Sequence, residues 1–212
     1  MRKALLTLSL LTICSFGFAQ DMGKTYINLN YSGASIKQKH TAKISNNFGA
    51  GFTVGHTYYL HKEPVGDIFR FGLDATWFDI NYNNFSYDYT DLSDSNRKTE
   101  ETIHEGEVGM QIGPSVTITP ADKLDIRAYF RYAPSCAVLY DSIIEEVSCN
   151  YASMFVGGVS VNYGIIGVGI ETRFGSSKLN EYKFEDNGHG DIKTDKISTK
   201  LSGFRAYLSF RF

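Results

Sequence analysis

Residues 204–212, at the end of the printed sequence, read FRAYLSFRF and decide the fold class. Apolar residues stand at every second position from Phe204 to Phe212. The positions between them are polar or charged: Arg205, Tyr207, Ser209 and Arg211. A period of two residues predicts a β-strand, because successive side chains of a strand point to opposite faces. This strand has one apolar face and one polar face that carries two arginines.

The same alternation recurs seven more times along the chain. Each run has about ten residues, which matches the length of a tilted strand that crosses a lipid bilayer. The runs lie near residues 24–35, 48–60, 69–77, 105–118, 123–132, 150–163 and 166–174. With the terminal segment they make eight strands, an even number that suits a closed antiparallel barrel.

The connections between the runs alternate in length. The long and polar connections are residues 36–47, 81–101, 134–150 and 175–199. The short ones, near residues 61–67, 119–122 and 163–165, contain the turn formers proline and glycine. Short turns on one side and long loops on the other are typical of membrane barrels, and they predict that both termini lie on the side of the short turns.

Alternation alone does not determine which face points inward. In a soluble, exported, lipocalin-like barrel the apolar face would lie inside. Two features favour the opposite orientation: the polar face is rich in glycine and charge, and aromatic residues lie near the ends of the apolar face, as in the girdles of membrane proteins. We therefore predict an all-β fold, an eight-stranded antiparallel transmembrane β-barrel with short periplasmic turns and long extracellular loops.

The polar face predicts a charged barrel interior, or lumen. Its ionisable residues are Arg70, Asp74, Glu105, Glu107, Asp125, Arg127, Arg131, Glu171, Arg173, Arg205 and Arg211. Eight strands enclose a space just wide enough for side chains to fill. Six arginines against five carboxylates can nearly neutralise one another, and a buried unpaired charge is costly. We expect a salt-bridged plug and no wide channel, with a narrow or gated pore for small solutes as an alternative.

The N-terminus has the features of an export signal. Arg2 and Lys3 precede an apolar run over residues 4–18, and Ala19 supplies a small residue at the predicted cleavage site. We therefore predict a signal peptide over residues 1–19 and a barrel domain over residues 20–212. Export exposes the remaining cysteines to an oxidising compartment, so we predict a disulfide between Cys136 and Cys149, with two free thiols as the alternative.

Charge and composition exclude several classes of protein. Hydrophobic residues make up 42% of the chain, charged residues 21%, and the net charge is −2. Wholesale disorder is therefore excluded, and no basic surface for nucleic acid is expected. No cofactor and no metal site is predicted. The best cation candidate, residues 185–191 (EDNGHGD), lacks the acidic spacing of an EF-hand loop and more simply contains a hairpin turn at Asn187 and Gly188. This turn predicts that the last two strands extend beyond the bilayer.

Residues 207–212 resemble the C-terminal signal of Gram-negative outer membrane proteins. Phe212 is the terminal aromatic residue, and Phe210 stands two positions before it. Position 208 continues the apolar series with Leu208, so this part of the signal has no phenylalanine. Tyr207 occupies a position where the fuller signal often has glycine.

With eight strands and an export signal, the chain is similar to small barrels of the OmpA and OmpX type. The resemblance covers nearly all of the chain that follows the predicted signal peptide. It implies an outer membrane location, surrounding membrane lipids, and recognition by the barrel-assembly machinery.

The predicted function is a role in envelope structure or surface interaction, carried by the extracellular loops of a monomer. An extracellular ligand or surface is the expected partner. The alternative from another class is an outer-leaflet lipid-modifying enzyme, whose chemistry needs a serine activated by a histidine. The arrangement His-x-Ser is absent from the sequence, and His104 and Glu105 face opposite sides of a strand. No catalytic residue is assigned, and no enzymatic activity is expected.

Overall fold

The computed structural model of the protein describes residues 23–37, 44–90, 98–141, 147–184 and 192–212. The predicted signal peptide lies outside these ranges. Within them the chain forms eight strands: β1 Gly23–Lys37, β2 Ile44–Tyr59, β3 Phe69–Thr90, β4 Lys98–Ala121, β5 Leu124–Asp141, β6 Val147–Tyr163, β7 Ile166–Phe184 and β8 Ile192–Arg211. In the described ranges we find no helix that is both long and apolar enough to cross a membrane.

The strands close into a barrel. Each strand pairs in antiparallel fashion with the next, and β8 returns to pair with β1. Ile27 of β1 lies opposite both Val54 of β2 and Phe210 of β8. At the chain end, the backbone N–H of Thr25 donates to the carbonyl oxygen of Phe212 at 2.8 Å, and the reverse bond measures 3.0 Å. Closure confirms the predicted fold class and gives each of these eight strands a partner on both sides.

Tight turns join the strands on the side where the chain ends, which we call the turn side. Residues 122–123 separate β4 from β5, and residues 164–165 separate β6 from β7. Lys123 and Gly164 have φ angles of 64° and 60°. This left-handed backbone lets a two-residue turn match the twist of its strands. The prediction that Lys123 begins the fifth strand is wrong, because this residue supplies the turn.

The opposite side of the barrel, which we call the loop side, is built largely of strands. Residues 81–101 are predicted as a loop, but β3 and β4 pair out to Thr90 and Lys98. Residues 175–199 form a long connection between alternating runs, and the pairing of β7 with β8 out to Phe184 and Ile192 agrees with the prediction that the last two strands extend beyond the bilayer. Only the part of a strand that lies in the lipid needs an apolar outer face, and this need produces the alternating pattern. Beyond the lipid, backbone hydrogen bonds can hold a hairpin together whether or not its side chains alternate. The predicted turn at Asn187 and Gly188 lies outside the described residues.

The barrel is apolar outside and polar inside. The outward side chains of Leu29, Met110 and Ile170 are 53%, 51% and 62% exposed, whereas the inward side chains of Asp74 and Arg127 are 0% and 1% exposed. A water-soluble barrel would bury the first set and expose the second. The lipocalin-like alternative is therefore wrong, and the outer surface matches hydrocarbon lipid.

A β-bulge in β3 resets which residues point inward. Val54 of β2 pairs with Phe78, and the next residue, Gly55, pairs with Thr76, so Trp77 is the extra residue. Trp77 and Phe78 are both exposed to the outside. Beyond this point the inward positions are odd-numbered, beginning with Asp79, which is 2% exposed. A bulge of this kind redirects side chains because two residues oppose one.

An arginine substituted into the lipid-facing belt tests this orientation. We expect Ile170→Arg to lower the free energy of unfolding in phospholipid vesicles by about 2–4 kcal/mol, because a cation near the bilayer midplane loses its hydration. Val65→Arg is the matched control, since Val65 is also exposed but lies in the turn between β2 and β3. Urea titration followed by tryptophan fluorescence measures both. Equal losses in the two variants would contradict a lipid-facing belt.

Candidate functional site: the charged lumen

The eleven predicted lumen residues line the inside of the barrel. Ten are buried and Arg70 is half-buried. Most of them form two clusters, which also involve residues outside the predicted set, such as Asp79 in one cluster and Tyr26 beside the other. The loop-side cluster consists of Asp79, Glu107, Glu171, Arg173 and Arg205. The turn-side cluster consists of Asp74, Arg127, Arg131 and Arg211.

In the loop-side cluster, two arginines are held by three carboxylates. Arg173 makes a two-pronged contact with Glu107, with Nη1 to Oε2 at 2.8 Å and Nη2 to Oε1 at 2.9 Å. Arg205 donates from Nη1 to Asp79 at 2.7 Å and to Glu171 at 3.3 Å. Parallel N–H donors of a guanidinium match a carboxylate well, which makes such pairs strong and directional.

In the turn-side cluster, three arginines surround one carboxylate. Asp74 Oδ2 accepts from Arg131 Nη2 at 2.8 Å and from Arg127 Nη1 at 3.1 Å. The Thr57 hydroxyl donates to Asp74, and it accepts from Arg127 at 2.9 Å and from Arg211 at 3.0 Å. Thr57 therefore links Arg211 to the carboxylate that the other two arginines contact directly.

An aromatic ring supports the turn-side arginines. The guanidinium carbons of Arg127, Arg131 and Arg211 lie 5.1, 5.5 and 5.3 Å from the centre of the Tyr26 ring. The face of such a ring is electron-rich and attracts cations. The contacts stabilise the three positive charges without neutralising them.

Two uncharged side chains connect the clusters across the lumen. Gln111 accepts from Arg131 at 3.0 Å and donates to Asp79 at 2.7 Å. Tyr129 lies under Arg131, with the guanidinium 3.7 Å from its ring centre, and donates from its hydroxyl to Glu171 at 2.8 Å. The hydrogen-bonded network is therefore continuous from one half of the lumen to the other.

Glycines make room for the lumen tyrosines. A Cβ atom placed on Gly158 would overlap the phenol of Tyr129, and one placed on Gly169 would overlap that of Tyr207. The hydroxyls of Tyr129 and Tyr207 lie 2.9 Å apart. These two glycines of the polar face therefore have a specific task, since each leaves the space that a ring from a neighbouring strand occupies.

Charge is distributed unevenly along the part of the lumen that the structure describes. The loop-side half has two arginines and, with Glu105, four carboxylates. The turn-side cluster has three arginines and one carboxylate. Near it, at the mouth of the barrel, Asp125 pairs with Lys24 at 2.6 Å. The lumen as a whole is close to neutral, as the sequence suggested, but each half carries an excess of one sign.

Three important lumen residues are missing from the sequence-based set. Asp79 lies beyond the predicted third strand, because the bulge at Trp77 breaks the alternation. Tyr26 and Tyr129 stand at inward positions of β1 and β5, and both are buried. A signal for Asp79 is present in the sequence, since two consecutive aromatic residues followed by an acid interrupt a period of two.

The cysteine prediction is tested only in part. Cys136 is disulfide-bonded. The register of β5 with β6 sets Cys136 opposite Tyr151 and Val138 opposite Cys149, so the two cysteines occupy diagonal positions on adjacent strands. The side chain of Cys149 is outside the described part of the structure. The pairing of Cys136 with Cys149 therefore stays a prediction.

The described candidates for acid–base or metal chemistry do not come together in one site. His104 is on the outer surface, where its Nδ1 lies 2.6 Å from the hydroxyl of Tyr82, while Glu105 points inward. Among the described residues, no three histidine, cysteine or acidic side chains are placed to hold a metal ion. The run at residues 185–191 lies outside the described residues.

The residues of the predicted assembly signal occupy both faces of β8 and the chain end. Tyr207 is buried in the lumen, whereas Phe212 is 65% exposed on the outside. Phe210 lies opposite Ile27 of β1 and Ile166 of β7, at the seam that closes the barrel.

Position 208 of the signal is leucine and not phenylalanine, so no aromatic ring stands there. Leu208 lies opposite Leu29 of β1 and Val168 of β7, and its side chain is exposed on the outer face. The aromatic members of the signal on this face are therefore Phe210 and Phe212, and Leu208 contributes only apolar surface to it. Recognition by an assembly machinery stays a prediction.

Comparisons with known proteins add a likeness of architecture. No family model and no curated protein sequence matches the chain. Among solved structures, Ail, the attachment invasion locus protein of Yersinia pestis, is similar at 10% identity and a TM-score of 0.44, over 90% of this chain and 99% of that one.

Two further solved structures are similar to the same degree. Neisserial surface protein A is 9% identical with a TM-score of 0.47, over 89% of this chain and 97% of that one. The outer membrane protease OmpT from Escherichia coli is 11% identical with a TM-score of 0.46, over 91% and 97% of the two chains.

Removal of the single carboxylate of the turn-side cluster should be costly. We expect Asp74→Asn to lower the free energy of unfolding by about 3–5 kcal/mol, because it leaves buried guanidinium groups without a counter-charge. The control is Asp125→Asn, whose partner Lys24 is 36% exposed. A pair this open to solvent contributes about 1 kcal/mol or less. Urea unfolding in vesicles measures both, and similar losses would contradict the central role of Asp74.

The polarity of the closed barrel is the property that classifies the chain. Its strands present apolar side chains to the outside and enclose a network of ion pairs, which is the reverse of a water-soluble barrel. These features define the protein as an eight-stranded transmembrane β-barrel of the outer-membrane type.

Proposed function

We propose that this outer membrane barrel has a closed lumen and acts in envelope structure or surface interaction through its loop-side hairpins. The continuous network of buried side chains across the lumen is the observation that carries the proposal. No catalytic activity is assigned to the barrel. Among the described histidines, His56 bonds with Thr25, His61 with the carbonyl oxygen of Glu63 and His104 with Tyr82, and none of these partners is a serine.

The space left inside the barrel supports a closed lumen. A cavity on the loop side, lined by Ser32, Asn83, Glu105 and Arg173 among others, has a volume of about 40 Å³. This volume holds a few water molecules, since each needs roughly 10–15 Å³ of such space. Below the cavity, Arg173, Arg205 and Asp79 join across the interior. Solutes larger than water would have to break these ion pairs.

The length of the hairpins supports a role outside the membrane. β3 and β4 have 22 and 24 residues, and β7 and β8 have 19 and 20. A tilted strand needs only about 9–11 residues to cross the hydrocarbon. About half of each hairpin therefore extends beyond the lipid, on the side opposite the chain end. Paired strands hold such a projection rigidly, which suits a contact surface.

Planar-bilayer recording tests the closed lumen. We expect no stable conductance from the unmodified protein. The double variant Gln111→Ala with Tyr129→Ala should increase ion leakage, because it removes both uncharged links between the clusters and leaves every charged partner in place. The matched control is Met110→Ala with Phe130→Ala. Met110 and Phe130 are adjacent in sequence to Gln111 and Tyr129, respectively, but face the lipid.

A stable conductance from the unmodified protein would contradict the closed lumen and favour the narrow or gated pore. Equal leakage in the lumen variant and the lipid-facing variant would show that general destabilisation, and not the lumen network, controls ion flow.

Shortening one hairpin tests the role of the loop side. Tyr87 of β3 pairs with Glu101 of β4, so residues 88–100 can be replaced by an Asn-Gly turn without a change of register. We expect the variant to fold into the membrane and to lose binding of whole cells to arrays of glycans and matrix proteins. The matched control is the same replacement between the paired residues Lys178 and Ser198 of β7 and β8.

Detergent sensitivity of the same cells separates the two proposed roles. If the barrel acts in envelope structure, a strain without the protein becomes sensitive and either shortened variant restores resistance. Full binding by both variants together with a resistant deletion strain would contradict the proposal.

A further inference from the structure

The turn-side cluster has more positive charge than its surroundings neutralise. Among the described residues, Asp74 is the only carboxylate that contacts Arg127 and Arg131, and none contacts Arg211. Two other acids of the lumen are engaged elsewhere: Glu171 pairs with Arg205 at 3.3 Å and Asp125 with Lys24 at 2.6 Å. Three guanidinium groups and one carboxylate leave an excess of two positive charges, because arginine stays protonated in proteins.

The excess charge is buried. Arg127, Arg131 and Arg211 are 1%, 1% and 3% exposed. Their burial in a protein interior strengthens the mutual repulsion relative to water. The Tyr26 ring and the Thr57 hydroxyl reduce that repulsion only in part, because both are uncharged. The cluster therefore has a strong electrostatic affinity for a negative charge.

The arginines also retain free hydrogen-bond donors. Nε and Nη2 of Arg127 and Nη1 of Arg211 are buried and have no acceptor among the described residues. Both side chains donate from another nitrogen to Thr57 Oγ1, at 2.9 and 3.0 Å, which holds the two guanidinium groups side by side. Free donors on adjacent guanidinium groups form the arrangement with which arginines bind inorganic anions.

The cluster lies near the turn-side end of the barrel. Arg211 is the last residue of β8, and the half-buried Arg70 is the second residue of β3, next to the turn from β2. Nε of Arg70 is also without an acceptor among the described residues. Arg70 thus extends positive charge from the buried arginines toward the turn-side mouth, which attracts anions from the adjacent solution.

We infer that the turn-side cluster binds one small inorganic anion, of the halide or phosphate class, between Arg127 and Arg211. The anion neutralises part of the excess charge and accepts the free N–H groups. It enters from the turn side, because the Asp79 and Arg205 pair closes the lumen above. The barrel is therefore more stable in solutions that contain such an anion, since a ligand that binds only the folded state stabilises it.

Anion-dependent unfolding tests the inference. The protein is refolded in phospholipid vesicles at constant ionic strength, and sodium gluconate, a salt with a bulky organic anion, is replaced stepwise by sodium chloride or sodium phosphate. We expect the urea midpoint to rise with anion concentration and to saturate. The salt that gives the half-maximal rise at the lower concentration identifies the preferred class.

Variants separate binding from general salt effects. Arg211→Met removes a donor and one excess charge while it keeps a long side chain, so we expect the anion-dependent rise to disappear. Arg173→Met is the matched control at the other end of the lumen, where carboxylates are in excess. We expect it to lower the midpoint in every salt and to keep the rise. An equal rise in the unmodified protein and in Arg211→Met would overturn the inference, as would no rise in the unmodified protein.

A direct measurement does not depend on the folding of any variant. Crystals of the protein soaked in sodium bromide should show an anomalous scattering peak within about 3.5 Å of the free nitrogens of Arg127 and Arg211, the outer limit of a direct contact to an N–H donor. Bromide peaks confined to the protein surface would overturn the inference.

Discussion

The hydrogen-bonding needs of the backbone inside a lipid bilayer determine most of this structure. Hydrocarbon offers no partner to an N–H or C=O group, so a sheet can span it only when it closes on itself. The pairing of β1 with β8, down to the bonds between Thr25 and Phe212, meets that requirement. Once the sheet is closed, every second side chain must point into a narrow interior. The polar side chains of the strands are therefore confined in the interior, where no bulk water solvates them.

That confinement explains the character of the lumen. A charged group inside eight strands must find a partner among the groups that cross the interior from other strands. Arg173 reaches Glu107 from β7 to β4, and Arg205 reaches Asp79 from β8 to β3. Tyr129 and Tyr207 fill part of the remaining interior, and Gly158 and Gly169 on the neighbouring strands leave room for their rings. The same contacts that satisfy the charges also fill the route that a solute would take.

The two halves of the lumen differ because pairing is local. Carboxylates are in excess on the loop side and arginines on the turn side, although the sum of charges is close to zero. Ion pairs form only between groups that can touch, so an acid at one end does not neutralise an arginine at the other. The polarised interior leaves arginines in excess at the turn-side cluster, where we propose that an anion binds. The surface contacts that we propose belong to the long hairpins of the loop side.

The strand number, the antiparallel order, the approximate positions of the short turns and the inward face of most strands follow from the amino-acid sequence. Lipid on one face of each strand and a confined interior on the other produce a strong alternating pattern. The extent of the β3–β4 hairpin and the position of the bulge required the folded structure, because pairing beyond the lipid needs no apolar face and the bulge at Trp77 turns Asp79 inward. The pairing of individual side chains within the lumen could not be predicted from the sequence either. They depend on the stagger of strands far apart in the chain, which brings Arg211 to Thr57 and Arg205 to Asp79.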